Sequence, residues 1–309
     1  MVSHTVVTAA LRRVMSLPRF TGDLPPGRRL DLPGRGSTFC VDVAGPPGSE
    51  DKPTLVLLHA LGCTAYLSWF PSLAALSATH RVVLFDQRWH GRGIRSEDFR
   101  FDDCADDVVA VADALHLGQV VPIGYSMGGA IAQLAWHRHR DRVAGLVLAA
   151  TARNFRGKPL ERMFFPVLTA GMLPLSGYSR DRVDRRYALL PEVPGVAPHL
   201  GNWGIGEFRS TSAWAMPAVL RELGRFNSAD WIGEIDVPTA VVATSKDRTI
   251  PARRQLRMAE CVPGASLHEV EGGHASLVLG AARFVPALVA AVASVQDRQP
   301  VARSAALQA

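Results

Sequence analysis

The sequence predicts an α/β fold, a mostly parallel eight-stranded sheet with helices on both faces and an inserted helical lid. Three observations carry this. Strand-like segments recur near 28–32, 38–44, 54–58, 81–86, 119–124, 145–150, 238–244 and 265–271. From 54 onward helical patterns separate most of them, the βα alternation of a parallel sheet. Between about 153 and 230 the alternation stops, and helical pieces broken by prolines replace strands. The organisation that follows is an N-terminal helical extension over 1–24, a core over 25–152 and 231–296, a helical lid over 153–230 and a flexible tail over 297–309.

Taken in chain order, MVSHTVVTAALRRVMSLPRF places Arg12 and Arg13 where a secretory signal needs an unbroken apolar run, so it reads as an amphipathic helix packed on the body. After the strand at 54–58 comes His59-Ala60-Leu61-Gly62, and after the strand at 81–86 comes DQRWHGRG. In FDDCADDVVAVADALHL, early aspartates favour a helix start and Val, Ala and Leu form an apolar face. In the lid, Phe155, Phe164, Phe165, Trp203, Phe208, Trp214 and Phe226 supply apolar surface suited to a hydrophobic substrate, while each alone reads first as lid packing. Arg162, Arg180, Arg182, Arg185 and Arg186 read as a solvated lid face. The run from Ser276 to Val295 approaches membrane-spanning length, but Arg283 and Pro286 interrupt it, so it reads as the buried final helix.

The chemistry concentrates at residues 120–136, VVPIGYSMGGAIAQLAW, where an apolar strand runs through Gly124-Tyr125-Ser126-Met127-Gly128 into a helix. A sharp strand-to-helix turn lifts one side chain clear of the sheet edge only if the residues two before and two after lack a Cβ, and Gly124 and Gly128 meet that condition. The following helix aims unpaired NH groups and its positive dipole end at the turn, so the Met127 NH is a candidate oxyanion donor and Ser126 a candidate nucleophile. A serine hydroxyl needs a base, and the base needs a carboxylate to hold its tautomer. Asp247 follows the strand at 238–244, and His274 follows the strand at 265–271. All three lie just past C-terminal strand ends, where open α/β sheets gather reactive groups.

The motifs LVLLHALG (55–62), VVLFDQRWHGRG (82–93), GYSMGG (124–129), TSKDRTIP (244–251) and GGHASL (272–277) together resemble the α/β-hydrolase superfamily, in its single-lid esterase, lipase and C–C hydrolase branch. The likeness runs from near 35 to 295. It implies that Ser126 attacks an acyl carbonyl, that His274 moves the proton, that Asp247 orients the imidazole, and that Leu61 supplies the second oxyanion NH. Where the family carries His-Gly-x, this chain has His59-Ala60-Leu61, and Ala60 resists the positive φ open to glycine, which implies a different loop path. His59 reads as a loop brace and Asp86 and His90 as a structural turn. Thr151, Ala152, Arg153 and Asn154 offer no rival acid after the preceding strand.

The formal charge of +6 and pI near 9.5 come from scattered arginines without a basic run interleaved with aromatics, so no nucleic-acid partner is expected. Association with a membrane surface is the less favoured reading of that charge. Cys40, Cys63, Cys104 and Cys261 are too dispersed for a zinc site or disulfide framework and fit a reduced cytoplasm, with Cys63 a small packed residue. His137 and His139 point to different helix faces, and neither a metal nor a cofactor is expected. The expected activity is a serine carboxylic-ester hydrolase acting on a small hydrophobic ester or acyl substrate. C–C bond or lactone hydrolysis, acyl transfer and cofactor-free peroxidation remain open on the same residues, as does a ligand receptor of this fold.

Overall fold

The computed structural model describes residues 24–155, 207 and 215–298. The extension at 1–23, the tail from 299, and 156–206 and 208–214 of the expected lid lie outside the described residues, with Phe164, Phe165, Trp203, Phe208, Trp214 and the five lid arginines.

One eight-stranded sheet runs in the order β1-β2-β4-β3-β5-β6-β7-β8. Its strands are β1 (Gly27–Leu32), β2 (Gly36–Val43), β3 (Thr54–Leu58), β4 (Val82–Phe85), β5 (Val120–Tyr125), β6 (Leu146–Ala149), β7 (Thr239–Thr244) and β8 (Ser266–Val270). The pairs β1/β2 and β2/β4 are antiparallel, and every later pair is parallel. Parallel neighbours need a crossover, and the helices supply it. They are α1 (Ala65–Trp69), α2 (Leu73–Ser77), α3 (Phe101–Ala114), α4 (Met127–Arg138), α5 (Met216–Arg225), α6 (Ala252–Cys261), α7 (Ser276–Leu279) and α8 (Ala281–Gln296).

Alternation along the strands divides the core into two layers. On β3, Val56 and Leu58 face the layer that takes Cys104 and Val108 of α3, Ile131 and Ala135 of α4, and Met258 of α6. Leu55 and Leu57 face the layer that takes Trp69 of α1, Leu76 of α2, and Phe284 and Leu288 of α8. Both faces being covered, the central strands are continuous apolar runs without a polar face, as in the fully buried TLVLL of β3.

One expectation is corrected. The final apolar run is two helices, because the chain breaks at Gly280 between α7 and α8, and Pro286 lies inside α8, where it cannot donate to the carbonyl one turn back. Just after α8, Arg298 donates to the carbonyls of Ser294 and Thr239 at 2.7 and 2.9 Å. In the expected lid, α5 is helical, and an isolated antiparallel bridge joins Asn154 to Asn227 where the chain leaves and re-enters the sheet.

Candidate active site

Ser126 sits between β5 and α4 with φ 55° and ψ −114°, a backbone region that L residues rarely occupy and that costs about 1–3 kcal/mol. The neighbouring contacts hold it there. Its NH donates to the Ala149 carbonyl at 2.9 Å, and its own carbonyl accepts from the Gly129 NH at 3.0 Å and the Thr151 hydroxyl at 2.8 Å. The packing leaves no room for side chains at the flanking glycines. A Cβ on Gly124 would stand 2.2 Å from the Gly128 carbonyl oxygen, and one on Gly128 would stand 2.2 Å from that of Leu58.

The turn, the β7 end and the β8 end converge. Ser126 Oγ lies 2.9 Å from His274 Nε2, and His274 Nδ1 lies 2.7 Å from Asp247 Oδ2. An ionised carboxylate only accepts, so Nδ1 carries the hydrogen and Nε2 is left to accept from the serine hydroxyl. Asp247 is fixed from every side. Its Oδ1 accepts from the NH groups of Thr249 and Ile250 at 2.8 and 2.9 Å, and its Oδ2 also accepts from the Thr244 hydroxyl at 2.9 Å and the Gln255 amide at 3.3 Å. Burial opposes its ionisation, but the hydrogen bond and charge of His274, the Ile250 NH and Thr244 together hold its carboxyl below the ordinary value.

Met127 is the first residue of α4, so its NH has no carbonyl one turn back within the helix. Leu61 lies in the turn after β3, closed by the Cys63 NH donating to the Ala60 carbonyl at 3.1 Å. The positive φ in this turn belongs to Gly62, at 74°, and not to Ala60. Alanine at 60 is therefore tolerated without strain, because the turn places its left-handed residue two positions later.

His59 is fully buried and both ring nitrogens are engaged. Its Nε2 accepts from the Gln87 NH at 2.8 Å, so Nδ1 carries the hydrogen and donates to the Ala60 carbonyl at 2.9 Å. Burial lowers its basicity, and it braces the loop. Asp86 accepts from the backbone NH of Ala65 and of Arg92, both at 2.8 Å. His90 is fully buried next to His59, and burial pulls its pKa down to about 3. Burial pushes the Cys63 thiol up to about 11, so thiolate chemistry is suppressed. Phe155 and Phe226 are buried with ring centroids 5.9 Å apart.

Four neighbours escaped sequence reasoning: Tyr125, Thr244, Gln255 and Glu207. Tyr125 occupies the variable position of G-x-S-x-G, whose identity the motif leaves open. Thr244 and Gln255 reach Asp247 from a strand end and a helix, and no spacing rule links them. Among the described residues, no group of three or more His, Cys, Asp and Glu could hold a metal, and no helix is long and apolar enough to cross a membrane.

A family model described as alpha/beta hydrolase fold matches residues 53–281. The chain is 30% identical over 261 residues to a poly(3-hydroxyalkanoate) depolymerase of Ectopseudomonas oleovorans, covering 79% of this chain and 85% of that protein. It is 28% identical over 247 residues to the magnesium-chelatase 30 kDa subunit of Rhodobacter capsulatus, covering 74% of this chain and 82% of that one. Among solved structures, a hydrolase from Pseudomonas aeruginosa PA01 superposes with a TM-score of 0.69 at 20% identity, covering 86% of this chain and 98% of that one.

Proposed function

The chain belongs to the alpha/beta hydrolase fold family, and on that premise we propose that it is a serine hydrolase cleaving a carboxylic ester through an acyl-enzyme on Ser126. The observation that carries this is the unbroken relay from Ser126 Oγ through His274 to Asp247, with contacts of 2.9 and 2.7 Å.

In this reading Ser126 Oγ bonds to the acyl carbon while its proton passes to His274 Nε2. The carbonyl oxygen becomes an oxyanion facing the NH groups of Met127 and Leu61. Collapse of the tetrahedral intermediate breaks the ester C–O bond, and the proton on Nε2 leaves with the alcohol. Water then enters, gives a proton to Nε2 and displaces the acyl group as the acid, returning the proton to Ser126. Asp247 stays ionised and stabilises the imidazolium at each transfer. The substrate class we propose is a small hydrophobic ester, supported by the relative that acts on a poly(3-hydroxyalkanoate), by its chemistry a polyester. The insert over 153–230 is proposed as the lid and the cytoplasm as the location, the latter supported by four free cysteines.

A fluorophosphonate probe followed by peptide mapping tests the reading, with Ser126→Ala as control and a panel of p-nitrophenyl esters of rising chain length run beside a lactone and a diketone. Labelling of Ser126 with ester turnover is the expected result; a folded wild type that neither labels nor turns over an ester sinks it.

A further inference from the structure

Thr64 directly follows the turn that presents Leu61, and it is fully buried. Its hydroxyl caps α1, accepting from the Leu67 NH at 3.1 Å, and donates to Oε2 of Glu207, 143 positions away in the stretch between β6 and β7. The same carboxylate meets Arg92 Nη2 at 3.3 Å. Arg92 packs its guanidinium over the Phe39 ring, 3.8 Å from the centroid, and points Nε at Asp86, 3.3 Å away. Asp86 in turn accepts from the Ala65 NH at 2.8 Å. Glu207 thus reaches the two residues that follow the Ala60–Cys63 turn, directly at Thr64 and through Arg92 and Asp86 at Ala65.

This arrangement is costly as plain scaffolding. Glu207 is only 8% exposed, Asp86 is fully buried, and the two carboxylates share Arg92. Burial raises the Glu207 pKa and Asp86 adds to that, while Arg92 opposes it. Apolar residues of similar volume commonly serve stability at least as well as a buried ionic cluster. What the carboxylate adds is direction, since a charge-assisted hydrogen bond holds Thr64 at one place and one angle.

We infer that Glu207 is a positioning residue for the oxyanion hole: by holding Thr64, and Ala65 through Arg92 and Asp86, it sets where the Ala60–Cys63 turn presents the Leu61 NH. Oxyanion donors act only when placed on the developing charge, so misplacing one slows the chemical step more than it weakens substrate binding. The inference rests on the acyl-enzyme reading and deepens it by making Glu207, between β6 and β7, part of what assembles the site.

The test compares wild type, Glu207→Ala, Glu207→Gln and Thr64→Val on p-nitrophenyl butyrate, with circular dichroism to confirm folding. Complete loss of an oxyanion donor costs on the order of a hundredfold or more in turnover, so a displaced donor should cost about tenfold. Glu207→Ala is expected to lower kcat by about that factor with KM changed less than about twofold, and to weaken a trifluoromethyl ketone that forms the tetrahedral adduct in parallel. Glu207→Gln keeps an acceptor for Thr64 but loses the charge, and should recover part of the loss. If Glu207→Ala does not fold, Thr64→Val, which deletes the hydroxyl at nearly constant volume, carries the same comparison. Turnover of the folded variant within about twofold of wild type, an effect on KM alone, or a Gln variant as impaired as the Ala variant would overturn the inference. Wild-type labelling by a fluorophosphonate separates the two failures: without it the acyl-enzyme reading itself has failed, and with it only the role of Glu207 has.

Discussion

Tyr125 donates its phenolic hydrogen to the backbone carbonyl of His274, 2.8 Å away, so the residue before Ser126 holds the loop that carries His274. The ring is buried and packs edge-on against Phe284 with centroids 5.5 Å apart. Ser126 and His274 are thereby tied through their backbones as well as through their side chains.

Tyr125→Phe keeps the ring and deletes the hydroxyl, and with it the bond to the His274 carbonyl. A buried hydrogen bond is worth about 1 kcal/mol, and if that is lost from the transition state, kcat falls about fivefold. The expected result is a drop of that size with KM near wild type, measured on a p-nitrophenyl ester. A drop in thermal midpoint with kcat unchanged would mean that the bond serves only the fold.

Asp247→Asn leaves the shape of the triad but removes the fixed charge and permits the wrong tautomer of His274, so kcat should fall about 10³- to 10⁴-fold. It also carries a pH signature. A carboxyl whose pKa is lowered by folding stabilises the fold at pH above its ordinary value, and that contribution is lost as pH falls through the lowered one. Wild type should therefore melt above Asp247→Asn at neutral pH, with the gap closing as the pH falls below the ordinary carboxylate value, about 4, and through the lowered one. A gap independent of pH would contradict the assignment.

Gly128→Ala sets two effects against each other. Alanine in a helix is favoured over glycine by about 1 kcal/mol. Against that, the new Cβ would stand 2.2 Å from the Leu58 carbonyl oxygen and 2.9 Å from that of His59, and backbone atoms cannot rotate aside. Overpacking should win, with a net loss of about 1–3 kcal/mol read from the urea midpoint at constant m, and with it a displaced turn and reduced turnover.

Much of this molecule is written locally. The strands can be read because residues buried on both faces must be continuous apolar runs, and the observed segments differ from the expected ones by at most two residues at an end. The elbow can be read because its backbone tolerates no Cβ at Gly124 or Gly128, a demand that spacing alone expresses. Asp247 and His274 stand out because each follows a strand in a stretch of otherwise turn-forming residues. The split of the last helix at Gly280 was harder to read, because one glycine in an apolar run is compatible with either outcome.

Other features exist only once the chain has closed on itself. The bonds from Tyr125 to the His274 carbonyl and from Thr64 to Glu207 join residues 149 and 143 positions apart, and the Gln255 amide finds Asp247 from a separate helix. No periodicity encodes such pairs. The sequence by itself determined the sheet, the elbow and the candidate triad, since each follows from backbone geometry within a few residues. The tertiary structure decided what holds Thr64 beside the Ala60–Cys63 turn and what fixes the loop of His274, because the partners of buried polar groups are chosen by where distant elements pack and not by the residues beside them.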